Sequence, residues 1–353
     1  MPSCSMLPLD WTAPKCSTLM IRPLSFQGPA TFMNVSGVTE FTLLGLPGSR
    51  PIQILLFILA SGCYIASLLG NLLIVITVCA DTRLQQSPMY FFLANLSFID
   101  TVLASVATPK MVADLIHHGR TIPFAGCMTQ LFFIHFLGGS EMLLLTLMAY
   151  DRYIAICHPL TYTTTMNRSR CVRLLISCWV GGLVHSATQL VLIVRLPFCG
   201  PNKLDNFFCD VQQVVQLACV DTYVTEILMV ANSGLLSLVC FVVLLVSYGI
   251  ILATLKDHFK ESGRKALSTC SSHLTVVSLI FVPCLLVYLV PMPSSSVEKI
   301  ASTFYTVVTP ALNPIVYTLR NREMKEAMGR LKNRCLFHLL VCKEKMFESC
   351  IYY

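Results

Sequence analysis

The chain has 353 residues, of which 55% are apolar and only 12% charged, and it carries a formal net charge of +7. A soluble domain carries roughly 25% charged residues, so this composition argues against a water-soluble enzyme or binding module. The mean hydropathy of +0.70 makes lipid the expected solvent.

Residues 1–32 hold Pro2, Pro8, Pro14, Pro23 and Pro29 and no apolar run of seven. That is no cleavable signal peptide; it reads as a disordered extension ahead of Met33. Asn34-Val35-Ser36 follows as a glycosylation sequon. Seven stretches then run almost free of charge: 51–80, 84–109 broken by Asp100, 121–150 broken by His135 and Glu141, 174–194 holding His185, 227–255, 266–297 holding His273, and 300–319. About 20 helical residues cross a hydrocarbon core of about 30 Å, and runs of this length satisfy their backbone in lipid as helices.

The expected fold is an all-α membrane protein, a seven-transmembrane helix bundle followed by a short amphipathic helix. Residues 1–50 form the outer N-terminal segment, 51–320 the spanning domain and 321–353 the inner helix and tail. With the N-terminus outside, the cytosolic segments hold 17 of the 25 lysines and arginines, as the positive-inside rule requires. The net charge therefore belongs to the inner face. It suits acidic membrane lipid or a cytosolic partner; no aromatic-interleaved basic groove supports nucleic-acid binding.

Chemistry-bearing residues are few. Asp100 and Glu141 lie near mid-span, where a carboxyl needs a partner. They are either protonated packing acids or oxygen ligands for a hard cation. Asp151-Arg152 sits at the inner end of span three, as a helix anchor or as a latch. Pro283 and Pro314 interrupt spans six and seven. Of the outer cysteines, Cys127 heads span three, and Cys199, Cys209 and Cys219 lie between spans four and five, in an oxidising compartment. Four cysteines allow three pairings. In 321–334, Met324, Ala327, Met328 and Leu331 alternate with basic residues, the pattern of a helix lying on the inner leaflet. Acylation of Cys335 or Cys342, which follow it, and chance placement both stay open.

Four strings in order carry a family resemblance: Pro88 to Leu93 with Leu96 to Asp100, Met148 to Cys157, Lys265 to Leu274, and Pro310 to Asn321. Together they resemble the olfactory branch of the rhodopsin-like receptors, over roughly residues 33–335. Gly138-Gly139-Ser140 and Leu196 to Gly200 resemble its tetrapod-type class. The resemblance implies a ligand-opened receptor for a small volatile odorant. It would activate a heterotrimeric G protein of the stimulatory olfactory type, raise cyclic AMP and reside in the plasma membrane of olfactory cilia.

It further implies disulfides Cys127–Cys209 and Cys199–Cys219, and no cofactor beyond a sodium ion at Asp100, Glu141, Asn313 and Ser97. The activation switch would comprise Asp151, Arg152, Tyr153, Tyr248, Pro283, Pro314 and Tyr317. The ligand pocket would be lined by His135, Phe136, Gly138, Gly139, Gln212, Asn232, Tyr288 and Tyr305. The chain departs from the family where Ile280-Phe281-Val282 precedes Pro283: a tyrosine is missing there. Arg264 and Lys265, at the base of span six, offer Arg152 no acid. A channel or transporter would show pore-lining polar rings or inverted repeats, and an enzyme a catalytic motif. Neither is visible; His117-His118 lacks a third metal ligand. A non-olfactory chemosensory receptor of the same fold is the alternative.

Overall fold

The computed structural model describes residues 38–46, 49–116, 120–257, 261–289 and 295–334. Asn34, His117, His118, Cys335, Cys342 and the segment 1–32 lie outside the described residues. Seven helices form the bundle: α1 Arg50–Ala80, α2 Pro88–Ile116, α3 Phe124–Cys157, α4 Arg168–Val194, α5 Tyr223–Asp257, α6 Glu261–Leu289, and α7, built in three pieces. These are Ser295–Thr303, a π-helical turn Phe304–Val308, and Thr309–Arg320. An eighth helix, α8, covers 322–334.

The first five are each long and apolar enough to cross a membrane unaided. In α6 the apolar stretch is His273–Leu285, and α7 is interrupted. The apolar window of α3 is 67% buried, against 11% for α1. So α3 is the central post, packed on α2, α4, α5 and α6, while α1 and α5 turn leucine, isoleucine and valine outward. Exposed side chains of that kind suit hydrocarbon, not water.

Two close approaches fix the bundle. At Gly182 of α4 an added Cβ would lie 2.1 Å from Ser140 Oγ and 2.7 Å from the Phe136 carbonyl oxygen. The missing side chain lets α3 and α4 touch backbone to backbone, and Ser186 Oγ donates to the Phe132 carbonyl at 2.6 Å. Small residues serve this purpose in lipid, where apolar burial alone drives no association. At Gly70 of α1 an added Cβ would lie 2.7 Å from Pro314 Cβ of α7.

Prolines explain the polar ties. Pro314 has no N–H, so the Pro310 carbonyl four residues earlier loses its helical donor. Asn71 Nδ2 of α1 supplies one at 2.9 Å. Pro283 frees the Leu279 carbonyl in α6 in the same way, and Thr309 Oγ1 of α7 reaches it at 3.5 Å.

A small sheet closes the outer end. β1 (Glu40–Leu43) is its centre, antiparallel to β2 (Thr121–Pro123) and parallel to β3 (Lys203–Leu204). Alternation in β1 points Phe41 and Leu43 inward, both fully buried, with Phe41 packed on Phe124 and Phe198. Gly45, at φ 70°, turns the chain out of the strand, a conformation glycine adopts without strain. Disulfides join Cys127 to Cys209 and Cys199 to Cys219. The second closes a 20-residue separation, contributing on the order of 3 kcal/mol on the chain-entropy account. Lys299 at the head of α7 pairs with Asp205 of this loop at 2.5 Å.

At the inner end α8 buries Met324 and Ala327. Its start is held by Tyr90, whose hydroxyl donates to Asn321 Oδ1 at 3.0 Å and Glu323 Oε2 at 2.8 Å. Further along, Arg330 bonds Asp81 Oδ2 at 2.7–2.8 Å. Asp81 Oδ1 meanwhile accepts from the Arg83 amide at 3.0 Å, capping the short helix Thr82–Gln85.

Gly182→Leu should lower the thermal stability of detergent-purified receptor by an overpacking cost of about 1–3 kcal/mol. Gly62→Ala, where an added Cβ meets nothing within 4 Å, should leave it unchanged; equal melting of Gly182→Leu and wild type would contradict the α3–α4 contact. The hydrogen bond from Arg330 holds the Asp81 carboxyl below its ordinary value of 3.8. The pair's contribution is therefore present above that value and lost as pH falls through the lowered one. Arg330→Ala should speed amide exchange in α8 at neutral pH, and the difference from wild type should shrink below about pH 4.

Candidate functional site

The chemistry-bearing side chains gather at three depths along α3. In the outer half, a cavity of ≈ 50 Å³ opens between α2, α3, α4, α5, α6 and α7. His135, Gly138 and Gly139 of α3 and Tyr305 of α7 line it, four of the eight residues expected there. Gly139 makes room for a neighbour: a Cβ on it would lie 3.0 Å from His185 Cδ2 of α4. The rings of His135 and His185 face each other at 5.6 Å between centroids.

Three of the remaining four are placed elsewhere. Phe136 is one residue round the helix from His135 and turns toward α4, against Trp179 at 5.5 Å and Phe132 at 5.9 Å. Asn232 spends its amide on the His185 carbonyl at 3.2 Å. Gln212 sits in the loop helix Val211–Gln216, whose start Asp210 caps, and does not line the cavity. The side chain of Tyr288 lies outside the described residues.

The lining also includes residues that the sequence reading did not place there: His185, Ser233, Ser237, Cys284 and Glu141. A signal existed for some of them. His185 is the lone ionisable group of its span. Ser233 and Ser237 stand four apart on one face of an apolar helix, and Gln189 of α4 donates to Ser233 Oγ at 2.7 Å.

Below the cavity lies the acid pair. Asp100 of α2 is fully buried and Glu141 of α3 nearly so, and their carboxyls meet side chain to side chain. Asn313 of α7 donates Nδ2 to Asp100 Oδ2 at 2.9 Å. Ser97, one turn before Asp100, is buried beside it. Asp100 Oδ1, Asn313 Oδ1 and Ser140 Oγ have no hydrogen-bond partner among the described residues. Two carboxyls in contact in a poorly polarisable interior cannot both stay charged without a proton or a cation between them. The donor set is all oxygen, and no cluster of three histidines, cysteines or acids exists among the described residues. It fits a hard cation and not a soft one. Glu141 belongs to both places: its side chain is the floor of the outer cavity and the partner of Asp100.

At the inner end of α3, Arg152 meets Asp151 at 3.6 Å. Asp151 is buried and also accepts from the Tyr162 hydroxyl at 2.9 Å. Burial first, and then the neighbouring Asp151 carboxylate, push the Tyr162 phenol above its ordinary pKa, so it acts there as a neutral donor. Tyr153 bonds His158 Nε2 at 3.0 Å and does not join the Arg152 cluster. Tyr248 of α5 bonds His273 Nδ1 of α6, a partner the sequence reading did not identify. Tyr317 of α7 is buried, with no partner for its hydroxyl among the described residues. All three groups are close enough to feel the Arg152 charge. Pro283 and Pro314 lie within α6 and α7, above them.

Comparison with known proteins identifies the family. A family model described as olfactory receptor matches residues 60–334. Human olfactory receptor 4Q3 is 61% identical over 297 residues, 84% of this chain and 95% of that protein. Human olfactory receptor 4K14 is 55% identical over 85% of this chain and 97% of its own length. Mouse olfactory receptor 4M1 is 51% identical over 88% and 99%. With the family match spanning most of the bundle and relatives covered almost end to end, the chain belongs to the olfactory receptor family: it is a membrane-spanning, odorant-sensing G-protein-coupled receptor and not an enzyme.

Proposed function

We propose that a small, largely apolar volatile ligand binds in the outer cavity and is read through Glu141 to the inner face. The observation that carries this reading is the double position of Glu141, at once cavity floor and partner of Asp100. A ligand that moves the floor also disturbs the acid pair and, through Asn313, α7. At ≈ 50 Å³ the cavity has room for a few waters. An odorant must therefore spread the helices around it, and this favours whichever bundle state has the wider cavity. A tenfold shift requires about 1.4 kcal/mol of tighter binding to that state. His135, Ser233 and Ser237 supply a few hydrogen-bonding groups in an apolar wall, the pattern of a small-molecule site.

Asp100, Glu141 and Asn313, with Ser97 beside them, would hold a sodium ion in the resting state. When bound, that ion supplies the positive charge that lets both acids stay ionised. Asn313 keeps α7 tied to α2 by its amide in either case. At the inner end Arg152 is held by Asp151, its own neighbour in the chain. Nothing described on α6 clamps it, so spreading of α5 and α6 frees the guanidinium to meet a G protein. Tyr248 and Tyr317, both within reach of its charge, would support it in the open state. The partner is a heterotrimeric G protein of the stimulatory olfactory type, and the signal is a rise in cyclic AMP. The N-terminus lies outside, with Asn34 glycosylated, and the receptor works in the plasma membrane of olfactory cilia. The basic excess of the inner segments supports this orientation.

Two measurements test the reading. Arg152→Ala should abolish ligand-evoked cyclic AMP while surface staining persists; full signalling with that variant would defeat the latch. Asp100→Asn should blunt the sodium dependence of basal signalling. A salt response identical to wild type would reduce Asp100 to a packing acid.

A further inference from the structure

On the reading of the outer cavity as the ligand site, we infer that its odorant carries a hydroxyl group, an alcohol or a phenol, and that His185 of α4, facing His135 of α3, selects for it.

Both histidines line the cavity, and they expose only 9% and 8% of their surface, His135 and His185 respectively. His185 Nδ1 is buried with no hydrogen-bond partner among the described residues. Other polar groups of the same wall are engaged. Ser237 donates its hydroxyl to the Ser233 carbonyl at 2.8 Å, and Ser233 Oγ accepts from Gln189 at 2.7 Å. Glu141 meets Asp100. A bare polar atom in the wall of a cavity marks the contact that an occupant completes.

The pair defines what completes it. A neutral imidazole carries one N–H and one bare nitrogen, so two of them together suit a group that both donates and accepts. Two hydrogen bonds of about 2.8 Å meeting at one oxygen reach across at most about 5.6 Å, and the ring centroids stand 5.6 Å apart. One hydroxyl can therefore touch both rings. A ketone or an ether only accepts, and a hydrocarbon leaves the nitrogens bare. A carboxylate would bring a further negative charge into a cavity that Glu141 already lines. A soft metal ion would want a third ligand, and no cluster of three histidines, cysteines or acids exists among the described residues. Leu103, Ile134, Leu236 and Ile280 form the apolar remainder of the wall, a surface for the odorant's hydrocarbon body.

The test is a cyclic AMP assay of the full-length receptor with cyclohexanol, its methyl ether, cyclohexanone, methylcyclohexane and cyclohexylamine, beside the corresponding straight-chain hexyl compounds. In wild type the alcohol should be about tenfold more potent than the ether and the ketone, and about a hundredfold more potent than the hydrocarbon. His185→Leu and His135→Leu should each remove that preference, weakening the alcohol and leaving the hydrocarbon as it was. Gly138→Leu, which fills the cavity from α3, should silence every compound while surface staining persists. Equal potency of alcohol and hydrocarbon in wild type, a preference for the amine, or silence toward every compound would overturn the hydroxyl assignment. So would an unchanged preference in either histidine variant, or an equal loss for all compounds in His185→Leu, the mark of a packing histidine. A response blind to the hydroxyl yet abolished by Gly138→Leu would sink the hydroxyl alone and spare the cavity as ligand site. A response that survives Gly138→Leu would remove the ligand from the cavity, and both readings with it. The wild-type comparison needs no substituted chain, so it decides even where a variant fails to reach the surface.

Discussion

In hydrocarbon no water stands ready to bond a backbone carbonyl, so every break in a helix must be answered by a neighbouring one. Pro314 and Pro283 create two such breaks, and their answers come from Asn71 and Thr309 on other helices. The kinks of α6 and α7 are therefore tied points. A bend at Pro314 cannot change without changing α1, because the freed carbonyl and the Gly70 contact both lie there. Leaving one carbonyl orphaned would cost several kcal/mol in lipid. That constraint makes α7 a lever with a fixed fulcrum: its outer part carries Tyr305, its middle Asn313, its inner end Tyr317.

The same logic sets the electrostatics. Asp100 and Glu141 are the buried acids of the mid-span, and both are shared between helices. Their contact spans α2 and α3, and Asn313 adds α7. Any proton or cation held there is a bolt through three helices. Because Glu141 also forms the floor of the outer cavity, a ligand and a cation bound as proposed would be neighbours separated by one carboxyl group. Coupling between them then needs no long pathway, only two positions of one side chain.

The spans were legible in the sequence because charge is expensive in lipid. Arg50 to Asp81, or Glu226 to Lys256, marks a helix by the mere absence of ionisable residues. The π-helical turn Phe304–Val308 was not legible, since 300–319 reads as one uninterrupted apolar stretch. The outer sheet was missed for a related reason: Glu40–Leu43 is four residues long, and its partners come from loops distant in the chain. Within the site, positions tied to a string of neighbours, such as Arg152 and Asn313, could be named in advance. Positions that depend on helix rotation could not. Phe136 and His135 are adjacent in sequence, yet one packs outward on Trp179 and the other faces the cavity. Tyr248 was legible alone; its bond to His273 required the α5–α6 register.

A cavity this small has a consequence for what the receptor can discriminate. In a roomy preformed pocket, affinity follows contact area. For a ligand bound here as proposed, much of the binding energy would go into separating helices, and only the surplus would appear as affinity. Gly138 and Gly139 thin the α3 wall of the cavity, with nothing within 4 Å of a Cβ placed on Gly138. The cheapest direction of expansion is thus along α3, toward the residues that face its glycines. His185 stands against Gly139, and Gln189, one turn further along α4, is bonded to Ser233 of α5. A ligand large enough to displace His185 must also strain that α4–α5 tie, whereas a narrower one need not. On the proposed binding mode, agonism and mere occupancy would part at a definite ligand width, set by how far His185 moves before the bond between Gln189 and Ser233 breaks.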